Sequence, residues 1–545
     1  MGTAGGALHF ATRTWVRVLA PQPGPDVGAD PAAGADRPGG TGYAARRFTG
    51  ADVLAGLTVA LVLVPQSLAY AQLAGMPPER GLYAAAIPLL VAAPLACSPY
   101  LQTGPVAVTS LLTFGALSSL AVPGSDEYVA LGLALALIVG VVRIAIGLLR
   151  AGVIAYLMSQ PMLIGFIPAA ALLIVGSQVP NALGAAPPDG SLVFQAAWSL
   201  MRPGAWELAS VVLTITVLVA VFGGRRLHPL FPGVLVAAIA AIAFSRLSHY
   251  GGPIVGNLPS GLPPLSLNLP WTEIPRLLVA GTVIAVVGYA EAGSIARTFA
   301  AQDRERWDSD REFVGQGVAN VAAAVSGGFP VGGSFSRSSL NRMAGGYSRW
   351  SGAVTGALVL LALLVAGVLE PLPKAILGAT VIAAVIPLIR PLRIVRLWRP
   401  SRPAFLIAAS TFVATIAVSP HIERAVLLGV ALSIGVHLWR ELRIDTELWT
   451  EDDTLYVKPH GVLWFGAAQA LEDRILAELA TSRGAQRLVL DLSALGRMDI
   501  TGAMALRAVI DEAGRAGIRA ELAGVHERDR RLVERVIEAD APVTG

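Results

Sequence analysis

The stretch GGFPVGGSFSRSSL, residues 327–340, places an arginine among serines and glycines inside an otherwise apolar part of the chain. A guanidinium keeps its charge at every physiological pH, so burying Arg337 in a hydrophobic layer requires a compensating interaction. Three interpretations are open. Arg337 faces a bound anion, it pairs with Glu291, or it is a structural residue that extends to the membrane interface.

The composition of the chain is that of a membrane protein. Of its 545 residues, 54% are hydrophobic and only 14% are charged, which leaves too few charges to cover the surface of a soluble protein. The apolar segments approach the roughly 20 residues with which a helix crosses a bilayer. About fourteen such segments are predicted. They are 51–73, 82–97, 104–122, 128–149, 152–180, 205–223, 230–247, 273–296, 312–328, 334–346, 350–369, 372–391, 403–420 and 422–440.

The net charge of +4 comes mainly from arginines that flank the apolar segments. If the N-terminus is inside, the arginine clusters all fall on one face, which is the positive-inside pattern. We therefore expect a multi-pass protein of the inner (plasma) membrane with both termini in the cytoplasm and no nucleic-acid partner. The clusters are Arg46/Arg47, Arg143/Arg150, Arg225/Arg226, 304–311, Arg342/Arg349, 390–402 and Arg440/Arg443.

The two ends of the chain differ from the apolar middle. Residues 1–48 are rich in Gly, Ala and Pro and are expected to form a disordered tail. The transmembrane domain is expected over 49–443. Residues 446–545 carry charge and alternate between strand and helix patterns, which predicts a small cytoplasmic α/β domain. The predicted strands are 454–459, 461–465, 487–492 and 518–523, and the predicted helices are 467–480, 501–515 and 527–538.

The membrane part contains two similar halves. TGPVAVTSL at 103–111 and GGSFSRSSL at 332–340 both place glycine before small and hydroxyl-bearing residues, in segments that are short for a full crossing. An unusual polar residue precedes each segment, Gln66 in the first half and Glu291 in the second. Seven segments per half is an odd number, so the halves have opposite orientations. This pattern predicts a 7+7 inverted-repeat transporter with its site at the repeat interface.

The two short segments suggest an anion site. A helix that begins in mid-membrane has about four amide groups without helical acceptors, and the positive end of its dipole lies there. Two such N-termini, at 104–110 and 333–340, are expected to face each other and to cradle an anion. Arg337 adds a full positive charge. Hydroxyl groups are expected from Thr109, Ser110, Ser334 and Ser336.

The other polar residues of these segments leave alternatives open. Glu291 either binds a proton or cation during transport, or it is a structural counter-ion. Gln66 and Tyr70 lie one helical turn apart, and Gln66 either contacts the ligand or hydrogen-bonds to a neighbouring helix. The chain has no metal-binding, nucleotide-binding or catalytic motif, so we expect a protein that is not an enzyme and that has no cofactor or metal.

From about Asp52 onwards, the sequence resembles the sulfate permease (SulP) family of anion transporters. The resemblance is carried, in order, by DVLAGLTVALVLVPQSLAYAQLAGMPPERGLYAA, GPVAVTSLL, SQPMLIGFIPAAALLIVGSQVPNALG, VGNLPSGLPP, VGYAEAGSIARTFA, GGFPVGGSFSRSSLNRMAGG and PLPKAILGA. The stretch LVLDLSALGRMDITGAMAL resembles the central part of a STAS domain.

The resemblance implies a core domain of segments 1–4 and 8–11 and a gate domain of segments 5–7 and 12–14, which move as an elevator, usually in a dimer. It implies an anion site between half-helices in segments 3 and 10, and it matches Glu291 to a carboxylate of many bacterial members. The implied site residues are Gln66, Tyr70, Val106, Ala107, Phe335, Ser336 and Arg337.

One motif departs from the family. STAS domains that act as phosphorylation switches often carry Asp-Ser-Ser-Gly, whereas this chain has Asp499-Ile500-Thr501-Gly502. Threonine is a common helix cap, so Thr501 is expected to be a residue of the helix N-terminus rather than a phosphorylation site.

The expected function is secondary active transport of sulfate, bicarbonate or a small carboxylate, either coupled to a proton or sodium ion or by exchange. A second hypothesis is a membrane-anchored sensor or scaffold whose STAS domain binds a cytosolic protein. A third is a nucleobase permease of related architecture, against which the arginine of SFSR argues.

Overall fold

The structure is a computed structural model that describes residues 46–152, 158–228, 230–266, 269–442, 444–482 and 484–537. Of the predicted tail, residues 1–45 lie outside the described residues. Arg443, at the predicted end of the transmembrane domain, and residues 538–545 also lie outside them.

Helices make up most of the membrane part of the described chain, together with two short strands, β1 Thr103–Gly104 and β2 Gly332–Gly333. Those of the first half are α1 Gly50–Leu73, α2 Pro78–Ala92, α3 Ala107–Leu117, α4 Asp126–Leu148, α5 Gln160–Leu183, α6 Leu192–Met201, α7 Leu208–Leu227 and α8 Gly233–Leu247. Those of the second half are α9 Ile274–Asp303, α10 Ser309–Val325, α11 Phe335–Met343, α12 Trp350–Leu363, α13 Lys374–Val385, α14 Leu392–Arg396, α15 Arg402–Ala417 and α16 Ile422–Glu441. Each predicted segment overlaps one of these helices, and α6 and α14 were not predicted.

Seven stretches of the described residues are long and apolar enough to cross a bilayer. They are α1, α4, α5, α7, α16, Trp271–Asp303 and Lys374–Arg396. The count of fourteen spans stays a prediction, because the other helices are shorter. Two of the short ones are α3 and α11, with 11 and 9 residues. At about 1.5 Å per residue, neither covers the roughly 30 Å of a hydrocarbon core.

Small residues allow the helices of the two halves to approach closely. Helix α4 packs along α10 at Gly140 and Gly317, and a Cβ on either glycine would lie 2.8 Å from the carbonyl oxygen of the other. In a lipid environment the hydrophobic effect does not bring helices together. Close backbone approach stabilises them instead, because it increases van der Waals contact. The outward faces keep exposed apolar side chains, among them Leu208, Leu227 and Leu247.

The C-terminal domain is a mixed sheet with helices. Its strands are β3 Asp445–Glu451, β4 Thr454–Leu463, β5 Arg487–Asp491, β6 Leu495–Met498 and β7 Arg519–Ala523, and its helices are α17 Phe465–Thr481, α18 Ile500–Arg515 and α19 Glu527–Val536. The strand order is β3-β4-β5-β7, with β6 beside the end of β4. Strands β3 and β6 were not predicted, and the predicted strand 461–465 is the continuation of β4 past a register shift at Gly461 and Val462.

At the start of α18, Asp499 provides the helix cap, because its Oδ1 accepts a hydrogen bond from the amide of Gly502 at 2.8 Å. Thr501 lies in the first turn, as expected, but it is exposed and is not the capping residue. The domain contacts the last membrane helix through Trp464, whose Nε1 donates to the carbonyl of Glu441 at 2.9 Å.

Candidate functional site

The two short segments of the halves meet in the structure. Thr103–Gly104 forms β1 and Gly332–Gly333 forms β2, and the two strands pair antiparallel, with Thr103 opposite Gly333. Because the strands run in opposite directions, the helices that follow them leave the pair on opposite sides. The N-termini of α3 and α11 therefore lie on either side of one short strand pair.

Both helices begin slightly later than the sequence indicated. The predicted starts at 104 and 333 are in the strands, and the helices begin at Ala107 and Phe335. Gly104 and Gly333 are therefore not in the first helical turns. A Cβ on Gly333 would lie 2.8 Å from Ala292 and Leu101, so this glycine lets the strand pair lie close to its neighbours.

The N-terminus of α3 has no side-chain cap, since its N-cap residue is Val106. Its first amides and the positive end of its dipole point toward the strand pair, which suits an anion. In α11, the N-cap Ser334 accepts a hydrogen bond from the amide of Arg337 at 3.4 Å and pairs with the hydroxyl of Ser336 at 3.3 Å.

Arg337 is the buried cation of this site. Its side chain is 0% exposed, and within the described residues its Nε, Nη1 and Nη2 have no hydrogen-bond partner. Arg337 therefore does not extend to the surface. It also forms no ion pair with Glu291, although Glu291 and Tyr70 lie within electrostatic range. An isolated buried charge is costly, so a negatively charged ligand would stabilise this guanidinium.

Helices α1 and α9 flank the two half-helices and each contacts both of them. Helix α1 supplies Gln66 and Tyr70, both 5% exposed, and Gln66 Oε1 has no partner among the described residues. Helix α9 supplies Glu291, which is partly buried. The structure thus places both predicted polar positions of the repeats on helices that contact the two half-helices.

The remaining predicted site residues differ in how exposed their side chains are to solvent. Val106 and Ala107 are buried at the start of α3. Phe335 is 55% exposed and stacks on Phe299 with ring centroids 6.4 Å apart, and Ser336 is also exposed. Arg337 thus points inward directly after two residues that face outward.

The hydroxyl groups expected from the sequence are not equivalent. Thr109 donates its hydroxyl to the carbonyl of Val106 at 3.1 Å, so it serves the helix itself. The hydroxyl of Ser110 is buried without a partner among the described residues.

Side chains that the sequence did not single out hold the strand pair in place. Gln316 Nε2 donates to Thr103 Oγ1 at 2.7 Å. Asn320 accepts from the amide of Val331 at 2.9 Å and donates to its carbonyl at 3.1 Å. Both side chains come from α10. A single Gln or Asn side chain in an otherwise apolar helix indicates a buried hydrogen bond.

Arg143 differs from its predicted role. The sequence placed it among the arginines that mark one face of the membrane, but its side chain is 0% exposed. It donates to the carbonyls of Ala285, Ile284 and Val331 at 3.0, 3.4 and 3.0 Å. The signal was present in the sequence, because VVRIAI is as apolar a context as that of Arg337.

Comparisons with known proteins agree with this architecture. A family model described as the sulfate permease family matches residues 50–411, and a STAS domain model matches residues 446–541. A probable sulfate transporter of Mycobacterium tuberculosis is 35% identical over 401 residues, which cover 71% of this chain and 70% of that protein.

Two solved structures share the fold. The murine Solute Carrier 26 family member A9 anion transporter in its inward-facing state has a TM-score of 0.83 at 22% identity, with 90% of this chain and 88% of that chain covered. The transmembrane domain of a cyanobacterial bicarbonate transporter has a TM-score of 0.60 at 23% identity, with 71% and 97% covered. The chain belongs to the sulfate permease family of membrane transporters and carries a C-terminal STAS domain.

Proposed function

We propose that this protein is a secondary active transporter of a small anion, of the sulfate, bicarbonate or small-carboxylate class. The observation that carries the proposal is the buried guanidinium of Arg337, which lacks protein partners among the described residues and lies beside the uncapped N-terminus of α3. A ligand that exchanges its own hydration shell for this guanidinium and the first amides of α3 must be negatively charged. The names of the relatives support the class, since they include sulfate and bicarbonate transporters.

The site residues in this proposal have distinct roles. Arg337 supplies permanent charge, and the amides that begin at Ala107 supply hydrogen bonds. Gln66 and Tyr70 close the site from α1. The further predicted contacts come from Val106, Phe335 and Ser336.

Uptake by proteoliposomes tests the proposal. The protein is reconstituted and the uptake of labelled sulfate and bicarbonate is measured for the unmodified chain, Arg337→Ala and Arg150→Ala. Loss of one member of a buried charge interaction costs about 2–5 kcal/mol, so Arg337→Ala is expected to lower apparent affinity at least about 30-fold. Arg150 is exposed, so its variant is the matched control. Unchanged uptake by Arg337→Ala would remove this residue from the mechanism.

The packing of the helices supports an elevator motion. Extensive contacts join α4 to α10 and α2 to α12 within the core set, and α5 to α13 and α15 within the gate set. We propose that the core carries the anion past the gate, because each set can move as a unit while the site travels with α3 and α11. Distances between spin labels on α4 and α15 in the presence and absence of sulfate test this motion. An unchanged distance distribution would contradict it.

Glu291 is the proposed coupling residue. It is a partly buried carboxylate within electrostatic range of Arg337, so its charge affects how strongly an anion binds. We propose that Glu291 binds a proton, or a sodium ion, together with the substrate. In that case Glu291→Gln abolishes pH-dependent uptake. Continued stimulation by acid in the variant would assign coupling to another group.

We place the protein in the inner (plasma) membrane as a homodimer with both termini in the cytoplasm. The arginine distribution supports this orientation. Accessibility of single cysteines at positions 127 and 304 to an impermeant reagent, in a variant in which Cys97 is replaced by serine, tests the orientation. Labelling of 304 from outside intact cells would contradict it.

The alternative is a sensor that signals through the STAS domain. The domain has exposed apolar side chains, Phe465, Ile500 and Met504, at 66%, 60% and 59%, which a cytosolic protein partner would cover. Deletion of residues 446–545 distinguishes the two functions. A transporter retains anion binding after the deletion, whereas a sensor loses its output.

A further inference from the structure

A second guanidinium is buried beside the strand pair. Arg143 donates from all three guanidinium nitrogens to the carbonyls of Ala285, Val331 and Ile284, at 3.0, 3.0 and 3.4 Å. These partners satisfy its hydrogen bonds but are neutral. Within the described residues, no carboxylate lies at ion-pair distance from Arg143. The side chain therefore adds an uncompensated positive charge to the interior.

The contacts of two glycines locate this charge next to α3. A Cβ on Gly288 would lie 2.6 Å from Nη2 of Arg143 and 2.9 Å from Cγ2 of Thr109, which is in the first turn of α3. A Cβ on Gly332 would lie 3.2 Å from Cγ2 of Val106 and 3.6 Å from the carbonyl of Gly288. Gly288 is thus the spacer between Arg143 and the N-terminus of α3.

The two buried cations differ in their carboxylate neighbours. Gly288 and Glu291 are three residues apart on α9, so they lie on one face, and Glu291 is about 9 Å along the helix from the carbonyls that Arg143 binds. Glu291 is a carboxylate within electrostatic range of Arg337, whereas no carboxylate among the described residues acts on Arg143 in this way. Two permanent cations therefore act on this region. A further buried carboxylate, Glu312, accepts hydrogen bonds from the amides of Cys97 and Ser98 at 3.1 and 2.9 Å and from Gln316 at 3.5 Å, so it forms no ion pair with Arg143.

We propose that Arg143 is a positioning and specificity-determining residue that makes the site select doubly charged anions over singly charged ones. It acts in two ways. Its hydrogen bond to Val331 holds the backbone immediately before β2, and its charge adds to the positive potential at the start of α3. The inference rests on the proposed anion transport and names the charge class that the same site takes.

The contribution of Arg143 to the binding free energy is proportional to the charge of the ligand. At a separation on the order of 10 Å and an effective dielectric constant of about 20, each unit of anion charge gains about tenfold in binding from Arg143. A dianion gains this factor twice and a monoanion once. Removing the charge should therefore lower the preference for sulfate over chloride by about tenfold.

Two substitutions separate the charge from the hydrogen bonds. Arg143→Gln keeps an amide donor and removes the charge, whereas Arg143→Lys keeps the charge and loses the planar arrangement of donors that reaches three carbonyls. Arg150→Gln is the matched control, since Arg150 is exposed seven positions along the same segment. Apparent affinities for sulfate and chloride are measured by competition against labelled sulfate uptake in proteoliposomes of the full-length protein, with thermal stability in detergent recorded for each variant.

The ratio of the two affinities is the deciding quantity. We expect the ratio of sulfate affinity to chloride affinity to fall about tenfold in Arg143→Gln. In Arg143→Lys and Arg150→Gln the ratio should stay within about threefold of that of the unmodified protein. Equal loss for sulfate and chloride in Arg143→Gln would mean a purely structural role and would overturn the inference. If Arg143→Gln is not recovered folded, a fall in the ratio of Arg143→Lys overturns it. Absence of anion uptake by the unmodified protein overturns the proposed function itself, and with it this inference.

Discussion

The backbone of Gly104 lies directly against the guanidinium of Arg337, so that a Cβ added to Gly104 would stand 3.4 Å from Nη2. Gly104 comes from the first repeat and Arg337 from the second. The charged group of one half therefore lies beside the backbone of the other half. This contact explains how the chain keeps an arginine away from lipid without an acidic partner.

Gly104→Ala should weaken anion binding. Gly104 has a φ of 155°, which residues with a side chain rarely adopt, and the new methyl group would contact Arg337 and take up space beside its guanidinium. We expect a several-fold rise in KM for sulfate uptake and a loss of stability of about 1 kcal/mol. Gly124→Ala is the control, because Gly124 has a φ of 82° and open space around it. If both variants change KM equally, the effect comes from backbone strain alone.

Gln66→Leu should distinguish the two roles left open for Gln66. If Gln66 contacts the anion, the variant raises KM and leaves thermal stability close to that of the unmodified protein, since Oε1 has no partner to lose among the described residues. If it joins two helices, stability falls by about 0.6 kcal/mol or more and KM stays constant. Uptake kinetics and melting in detergent are compared with Gln72→Leu, on the same helix.

Asp52→Asn should destabilise the membrane domain. Asp52 is fully buried at the start of α1 and accepts hydrogen bonds from the amides of Tyr347 and Ser348 at 2.8 and 2.7 Å. Its carboxylate thus fixes the turn that follows α11. Replacing one carboxylate oxygen by an amide donor should cost about 2 kcal/mol of stability.

Thermal unfolding in detergent, followed by tryptophan fluorescence, measures the loss. Glu127→Gln removes an exposed carboxylate from the first turn of α4 and is the control. Equal stability of the two variants would show that the Asp52 contacts contribute nothing.

Acid should loosen the STAS domain at the end of β5. Hydrogen bonds from Ser493 hold the pKa of Asp491 below its ordinary value, and Lys458 lies 3.4 Å from its Oδ2. A carboxyl with a depressed pKa in the folded state stabilises that state above its unfolded pKa of about 3.9, and the stabilisation is lost as the pH falls through the folded value.

Hydrogen exchange of residues 487–493 in the full-length protein, corrected for intrinsic rates, measures this effect. Protection should decrease below about pH 4 in the unmodified chain and change less with pH in Asp491→Asn. Asp473→Asn, an exposed carboxylate of α17, should behave like the unmodified chain. The same pH dependence in Asp491→Asn would exclude Asp491 as its source.

The sequence by itself predicted the main features of the site. The apolar segments, the interrupted motifs at 103–111 and 332–340, and an arginine that lipid would not tolerate are local signals, because burial in a bilayer restricts charge and backbone breaks to functional positions. The same reasoning predicted that Gln66 and Glu291 occupy corresponding places in the two halves, and the structure places both on helices that contact the half-helices.

Tertiary structure alone decided which partners these residues have. Arg143 and Arg337 are both fully buried arginines of the membrane part, yet Arg143 meets carbonyls of α9 and of Val331, whereas Arg337 meets the backbone of Gly104. The pairing of β1 with β2 sets these contacts by joining residues more than two hundred positions apart. Such contacts depend on how the two halves pack, and no local pattern of hydrophobicity or helix propensity encodes that packing.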